Sequence, residues 1–430
     1  MYHSQYSHLA LPWREPLELA ACMDEPWWVL LYSGVQTSYS GRYSYLAHAL
    51  AERIEGPDFD VLAGKLSAGR NRFDNAWFGY LGYGLKDCLE ILTPDQPNWL
   101  AMPNLCMMRF HHIYQFDHAE QKLTLWSDSP NIESLAKKSE KPIYPIRVSE
   151  INSSMPKNAY LSHAAAVIEA IHNGDLYQAN LTRKFMGEFE REPDAFALFK
   201  HLCAASPAPY SAFLRLDNTY VLSSSPELFL HIDEHGHMRT RPIKGTAPRG
   251  SDPVTDKKLR DGLTNSAKDR AENLMIVDLM RNDFSRVSTP GSIKVDSLFE
   301  VTTHASIHHM SSTITGRKRE DCSTLEAVKA CFPPGSMTGA PKIKAMNLCS
   351  EMERLARGIY SGAIGWFGGD GACELSVVIR TLIMQGKQFE FQVGGGIVAD
   401  STPEQELQEI RDKSKSILSV LGLFADDLDN

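Results

Sequence analysis

The sequence predicts an α+β fold, and three observations carry that expectation. Strand-like and helix-like stretches follow one another in mixed runs without a βαβ rhythm. No fixed-period repeat is present. Apolar content of 43% and charged content of 23% are those of a soluble globular chain, and 430 residues are ample to bury a large core.

Region 1–150 is rich in Trp and Tyr, with strands expected at Trp28 to Tyr32, Trp77 to Tyr83, Leu105 to Phe116 and Lys122 to Trp126. A polar, turn-forming stretch from Asp128 to Pro156 reads as a surface connection. A second region, 155–425, opens with a helix over Tyr160 to Asn173, where Ala164, Val167, Ile168 and Ile171 recur at helical spacing. Strands follow at Tyr210 to Leu216, Tyr220 to Ser223 and Leu228 to Ile232. Asp256 to Arg281 reads mostly as helix, with Leu263, Ala267, Ala271, Leu274 and Val277 on one stripe; Asp278 falls on the same stripe. Later strands span Gly362 to Phe367, Leu375 to Met384 and Phe389 to Val393. A last helix runs from Pro403 to Leu421, with Ser401 or Thr402 as cap and Gly422 as stop.

Several function classes are excluded. The longest apolar run, Trp27 to Tyr32, is too short to span a bilayer as a helix. A net charge of −9 and the lack of a basic block argue against nucleic acid as the main partner. Met1 to Gln5 lacks a basic start, and the eight scattered cysteines form no Cys-x-x-Cys pair. The expected compartment is therefore the reducing cytoplasm.

The most informative segment is Pro242-Ile243-Lys244-Gly245-Thr246. A lysine amine attacks carbon only when neutral, which burial or nearby cations favour. Arg239 and Arg241 are close in sequence, although a solvated surface lysine is the ordinary alternative. On the last helix Glu406, Glu409 and Lys413 stack at i, i+3 and i+7; Asp269 and Glu272 repeat the acidic i, i+3 spacing. Facing each other, the two pairs would make an all-oxygen Mg²⁺ site; taken singly, each fits a solvated face. Gly335 to Lys342 and Gly394-Gly395-Gly396 could offer backbone N–H groups to an anion or serve as plain turn and strand glycines. Ala340-Pro341 breaks a Walker A reading, so nucleotide hydrolysis is rejected. Ser225-Pro226-Glu227 could aim a carboxyl of raised pKa into a cleft as a general acid. For His309, preceded by His308, an ordinary core or surface histidine is the favoured reading over a functional one.

Taken in order, these pieces resemble the chorismate-utilising enzymes, a family that includes anthranilate, aminodeoxychorismate, isochorismate and salicylate synthases. The likeness runs from about residue 155 to 420. It rests on Gly174 to Leu181, Ser224-Ser225-Pro226-Glu227, Asp278-Leu279-Met280-Arg281-Asn282-Asp283, Gly335 to Lys342, Val378-Ile379-Arg380 and Gly394 to Val398. Residues 1–150 match more loosely, through Leu30 to Gly34 and Gly79 to Tyr83.

The resemblance implies two stacked antiparallel sheets flanked by helices, with both regions intertwined in one globular unit. Gln178 stands where water-using members carry a lysine, and Lys244 where anthranilate-forming members carry alanine. The glutamine points to the ammonia-using branch, and the lysine within it to the aminodeoxychorismate-forming members, transaminase-type transferases serving p-aminobenzoate and folate synthesis. The implied roles are Lys244 as nucleophile, Glu227 as acid, and Gln178 and His309 in the catalytic group. Ser336, Tyr360, Arg380, Gly394, Gly395, Gly396 and Lys413 would bind substrate. Mg²⁺ would sit on Glu272 and Glu409, with Asp269 and Glu406 in support. Ammonia is expected from a separate glutamine amidotransferase, since no cysteine here has the neighbours of a glutaminase nucleophile. Ser33, Arg42, Tyr43, Pro209, Tyr210 and Ser211 match a tryptophan site of the family; a buried ligand and ordinary packing both remain open there. An anthranilate-forming enzyme and an inactive amino-acid-binding or scaffold relative are the alternative readings.

Overall fold

The computed structural model describes residues 6–37, 39–129, 145–304 and 307–429. Part of the stretch read as a surface connection lies outside these residues.

Twenty strands among the described residues join into one antiparallel network that does not close on itself. The longest run of pairing is Gln178–Phe189 against Gln388–Ile397, in unbroken register from Gln178's neighbour Ala179 to Glu188. Nearly every residue of Gln178–Phe189 is buried. It therefore lacks the polar–apolar alternation of a half-exposed strand, which is why periodicity did not mark it. Strands of the first 150 residues pair directly with later ones: Trp27–Tyr32 with Tyr210–Leu216, and Trp77–Leu81 with Ala363–Phe367.

Three buried clusters show the layering. One packs helices Lys157–His172, Ala195–Ala205 and Pro403–Leu421 on strands Gln178–Phe189 and Gln388–Ile397. A second packs helices Ala267–Ser285 and Thr324–Cys331 on strands Leu228–Ile232 and Cys373–Val377. The third holds no helical residue; Val29, Tyr45, Phe78, Phe110, Leu214 and Ile364 meet there, between the stacked sheet faces.

The last helix begins and ends as its sequence requires. Thr402 accepts a hydrogen bond from the Gln405 N–H, Pro403 takes the first turn, and Gly422 stops the helix at φ +71°. Ser401 is not the cap. Its hydroxyl instead bonds Glu406 Oε1 at 2.6 Å.

Two expected elements are split. The Asp256 to Arg281 helix is two helices, Pro253–Asn265 and Ala267–Ser285, because Ser266 takes extended backbone and caps the second through Asp269 N. The expected apolar stripe of the second helix is only partly the buried face. Val277 is buried as expected, but Leu274 is 51% exposed, and Ile276, Met280 and Phe284 complete the buried side. Asp278 on that outward face simply pairs with Arg281 at 3.3 Å. The Leu375 to Met384 strand breaks into Cys373–Val377 and Thr381–Gln385. Arg380 forms the corner at φ +50°, which no regular strand tolerates.

Candidate active site

Lys244 lies on strand Ile243–Pro248, which pairs with Ile307–Arg317. The register slips between Ile243↔Ser311 and Thr246↔His309, so Lys244 and Gly245 leave the ladder. Gly245 has φ +89°, and a Cβ there would stand 2.9 Å from the Asp269 side chain. The glycine thus lets the start of helix Ala267–Ser285, with Asp269 and Glu272, close against the lysine strand.

From the opposite side comes strand Gln388–Ile397. A Cβ on Gly396 would meet Gln178 Nε2 at 2.5 Å and Lys244 Nζ at 3.0 Å, so the bare backbone makes room for both polar ends. One on Gly395 would meet Glu406 Oε2 at 2.8 Å. The Gly394 carbonyl accepts from Lys413 Nζ at 3.0 Å, and the Gly394 backbone bonds Tyr360. The three glycines are therefore strand glycines that admit neighbouring side chains.

Glu227, 5% exposed, follows Pro226 at the end of strand Thr219–Ser225. Burial pushes its carboxyl up to about 7, against pulls from Ser336, Lys244, the Ile243 N–H and Lys413. The carboxyl is thus half protonated near neutrality. Lys244 is pulled below the ordinary lysine range by burial, with the Lys413 charge adding and Glu272 opposing. Both shifts run in the direction that a nucleophilic amine and its leaving-group acid need.

The two acidic pairs face each other. Burial raises Glu272 to about 7, with the charges of Glu409 and Asp269 adding and those of Lys244 and Lys268 opposing. Glu406, 1% exposed, is also raised by burial and by Glu409, and its Oε2 has no hydrogen-bond partner among the described residues. Burial would raise Glu409 too, but Lys413 at 2.5 Å outweighs it and holds Glu409 below its usual range. The side chains of Lys413 and Glu409 are 42% and 41% exposed, so they line a wet cleft rather than a dry core. Among the described residues no three such groups converge closely enough to form a closed metal site. The orphaned Glu406 oxygen and the crowded carboxylates nonetheless suit a hard cation that takes few carboxylates and keeps water and substrate oxygens. Lys268, 3.9 Å from Glu272, was not singled out from the sequence; its i, i+4 spacing to Glu272 was the available signal.

Arg380 donates to Ser206 Oγ at 3.1 Å and lies close enough to Glu227 and His309 to act on their charges. His309 is 3% exposed, and neither ring nitrogen has a partner among the described residues. Burial, reinforced by Arg380, holds it well below the usual histidine range and hence neutral. Lys244, Glu227, Gln178, Ser336, the glycines, Lys413 and the acidic pairs are brought together, with Tyr360 and Arg380 at their edge.

A separate, small cavity of about 30 Å³ is lined by Ser33, Tyr43, Pro209, Tyr210 and Ser211, with Tyr45 and Glu374 among its other walls. Arg42 does not line it. Its guanidinium lies 2.8 Å from Asp117, on the exposed side of the Tyr43 strand.

The chain is 40% identical over 353 residues to aminodeoxychorismate synthase component 1 of Salmonella typhimurium, covering 81% of this chain and 77% of the relative. It is 32% identical over 417 residues to anthranilate synthase component 1 of Saccharolobus solfataricus, covering 95% and 97%. The crystal structure of anthranilate synthase component I from Streptococcus pneumoniae superposes with a TM-score of 0.77 at 24% identity, covering 89% of this chain and 93% of that one, and shows the shared fold. Residues 29–419 match the family model described as chorismate binding enzyme, and the chain belongs to that family.

Proposed function

We propose that this protein converts chorismate and ammonia to 4-amino-4-deoxychorismate through a covalent lysine adduct. The observation that carries the reading is the pairing of a pKa-lowered Lys244 with a Glu227 carboxyl near 7. The similarity to aminodeoxychorismate synthase component 1 supports it.

The Lys244 amine attacks C2 of the ring, both ring double bonds shift, and the C4 hydroxyl departs as water with the proton of Glu227. Ammonia then adds at C4, the double bonds return, and the Lys244 amine leaves C2. The net change is one hydroxyl replaced by one amine with release of water. Gln178, its amide ends unpartnered by protein, stands beside the lysine to orient the incoming ammonia. Arg380, Tyr360, Lys413 and the Gly394 to Gly396 backbone suit the substrate's carboxylates. Ser336 sets the Glu227 carboxyl, and neutral His309 accepts hydrogen bonds from the substrate side. Glu272 and Glu409, with Asp269 and Glu406, would hold Mg²⁺, which when bound supplies positive charge to the ring carboxylate.

The ammonia would come from a separate glutamine amidotransferase subunit. The free cysteines, of which only Cys88 is exposed, suit a reducing cytoplasm. No helix among the described residues is long and apolar enough to cross a membrane. The cavity beside Tyr210 is proposed to hold an amino acid such as tryptophan.

The test is product identification by mass spectrometry after incubation with chorismate, Mg²⁺ and ammonium. Aminodeoxychorismate that disappears in Lys244→Ala is expected. Anthranilate from the unmodified protein would overturn the reading, as the match along almost the whole anthranilate synthase relative makes worth checking. No turnover at all would leave an inactive binding or scaffold protein.

A further inference from the structure

Arg357 lies outside every motif singled out from the sequence, yet it is 2% exposed and uses all five of its N–H groups. Nε and Nη2 form a fork on Glu353, at 2.9 and 2.8 Å. Nη1 donates to the Met337 carbonyl at 2.8 Å and to Ser361 Oγ at 3.3 Å. The second Nη2 proton goes to the Asn180 carbonyl at 2.7 Å. The guanidinium lies over the Tyr83 ring, 4.6 Å from its centroid.

Each of the three segments so joined carries a residue of the candidate site next to the contact. Met337 follows Ser336, Asn180 is two residues after Gln178, and Ser361 follows Tyr360. Asn180 N also bonds the Thr338 carbonyl at 2.8 Å, and Glu353 Oε1 accepts from Thr182 N at 3.1 Å, so the segments share one brace. These segments belong to the short helix Gly335–Met337, strand Gln178–Phe189 and the turn before strand Ala363–Phe367. Only the planar, five-donor fork of arginine reaches all of them; a lysine ammonium has three donors on one atom.

We propose that Arg357 is a positioning residue that fixes Ser336, Gln178 and Tyr360 relative to one another and, through Ser336, places the hydroxyl that faces Glu227. This deepens the reaction proposed above and rests on it for its catalytic meaning. The charged and titratable groups facing Glu227 are Lys244, Lys413, Arg380 and Tyr360; Arg357 acts on it only through the Met337–Ser336 backbone.

The test reads the Glu227 carboxyl directly, by difference infrared titration assigned with Glu227→Gln. A midpoint near 7 is expected in the unmodified protein. The Ser336 hydroxyl pulls that carboxyl down, so Ser336→Ala should move the midpoint upward by about one pH unit. Arg357→Lys should move it the same way, and the double variant no further. Chorismate turnover in Arg357→Lys should fall by about 10²-fold, the cost of a misplacement near 1 Å. An unmoved midpoint in folded Arg357→Lys, or a shift that adds to that of Ser336→Ala, overturns the proposal. If thermal unfolding shows that Arg357→Lys does not fold, Glu353→Gln takes its place: it slackens the fork, and an unmoved midpoint there overturns the proposal equally. Because the titration needs no turnover, failure of the unmodified protein to convert chorismate would sink the proposed reaction and leave this test intact.

Discussion

The cleft around Lys244 and the cavity beside Tyr210 treat their polar groups in opposite ways. In the cleft, both ends of the Gln178 amide and Glu406 Oε2 are buried without partners among the described residues. In the cavity, the hydroxyls of Ser33, Ser211 and Ser376 each reach a backbone carbonyl. Buried polar atoms without partners oppose folding, so a site that keeps several is organised for something that arrives later. The cavity is already satisfied without a ligand. Any amino acid bound there would add to a complete structure, whereas the cleft is incomplete by itself.

The strongest way to break this contrast is to empty the cleft of its nucleophile. Lys244→Ala should abolish the mass-shifted chorismate adduct and lower turnover by about 10³-fold, read by intact-protein mass spectrometry and product assay. Glu227→Gln should lower turnover by about 10²–10⁴-fold, since an amide cannot protonate the leaving hydroxyl. In the unmodified protein turnover should fall as pH rises above about 7, as Glu227 loses its proton. A pH–rate profile without the alkaline limb would remove Glu227 from the acid role.

A subtler perturbation is steric. Gly396→Ala places a methyl against Gln178 Nε2 and Lys244 Nζ, both at flexible side-chain ends. Turnover should drop about tenfold or more with little change in melting temperature, because misplacement rather than unfolding is the cost.

The cleft should also show in stability. Glu227 and Glu272 have folded pKa values raised to about 7, so the native protein binds more protons than the unfolded chain above the ordinary carboxylate range. Their contribution is complete below about 4.5 and is lost as pH rises through about 7. Metal-free protein should therefore lose part of its denaturant stability between pH 5 and 8, a change that Glu272→Gln diminishes. The smallest effect belongs to the cavity. Ser33→Ala removes a hydroxyl within reach of the Tyr43 and Pro209 carbonyls and should cost about 1 kcal/mol in urea unfolding, with turnover unchanged.

Legibility in the sequence followed the same divide between local and assembled features. Helix Pro403–Leu421 and strand Leu228–Ile232 have the bounds their patterns indicate, since caps and short apolar runs are local signals. Helix Ala267–Ser285 was legible only as part of one longer segment, and of its expected stripe Val277 is buried while Leu274 faces out. Asn273 and Asp283 are buried at positions periodicity reserves for apolar residues, and Asp283 is matched there by Lys342 Nζ at 2.7 Å. No pattern along the helix reveals a partner nearly sixty residues away.

The sequence by itself determined the class of fold, the ends of the last helix and the motif residues that carry the family resemblance, because each depends on spacing, capping and residue chemistry within a short segment. Only the tertiary structure decided that Lys244, Glu227 and Glu272 share one cleft, that Gly396 leaves room for the lysine, and that Arg357 braces three distant segments. Those outcomes turn on burial and on charges brought close by folding, and the shifted pKa values that would make the chemistry work exist only once the chain has excluded water from them.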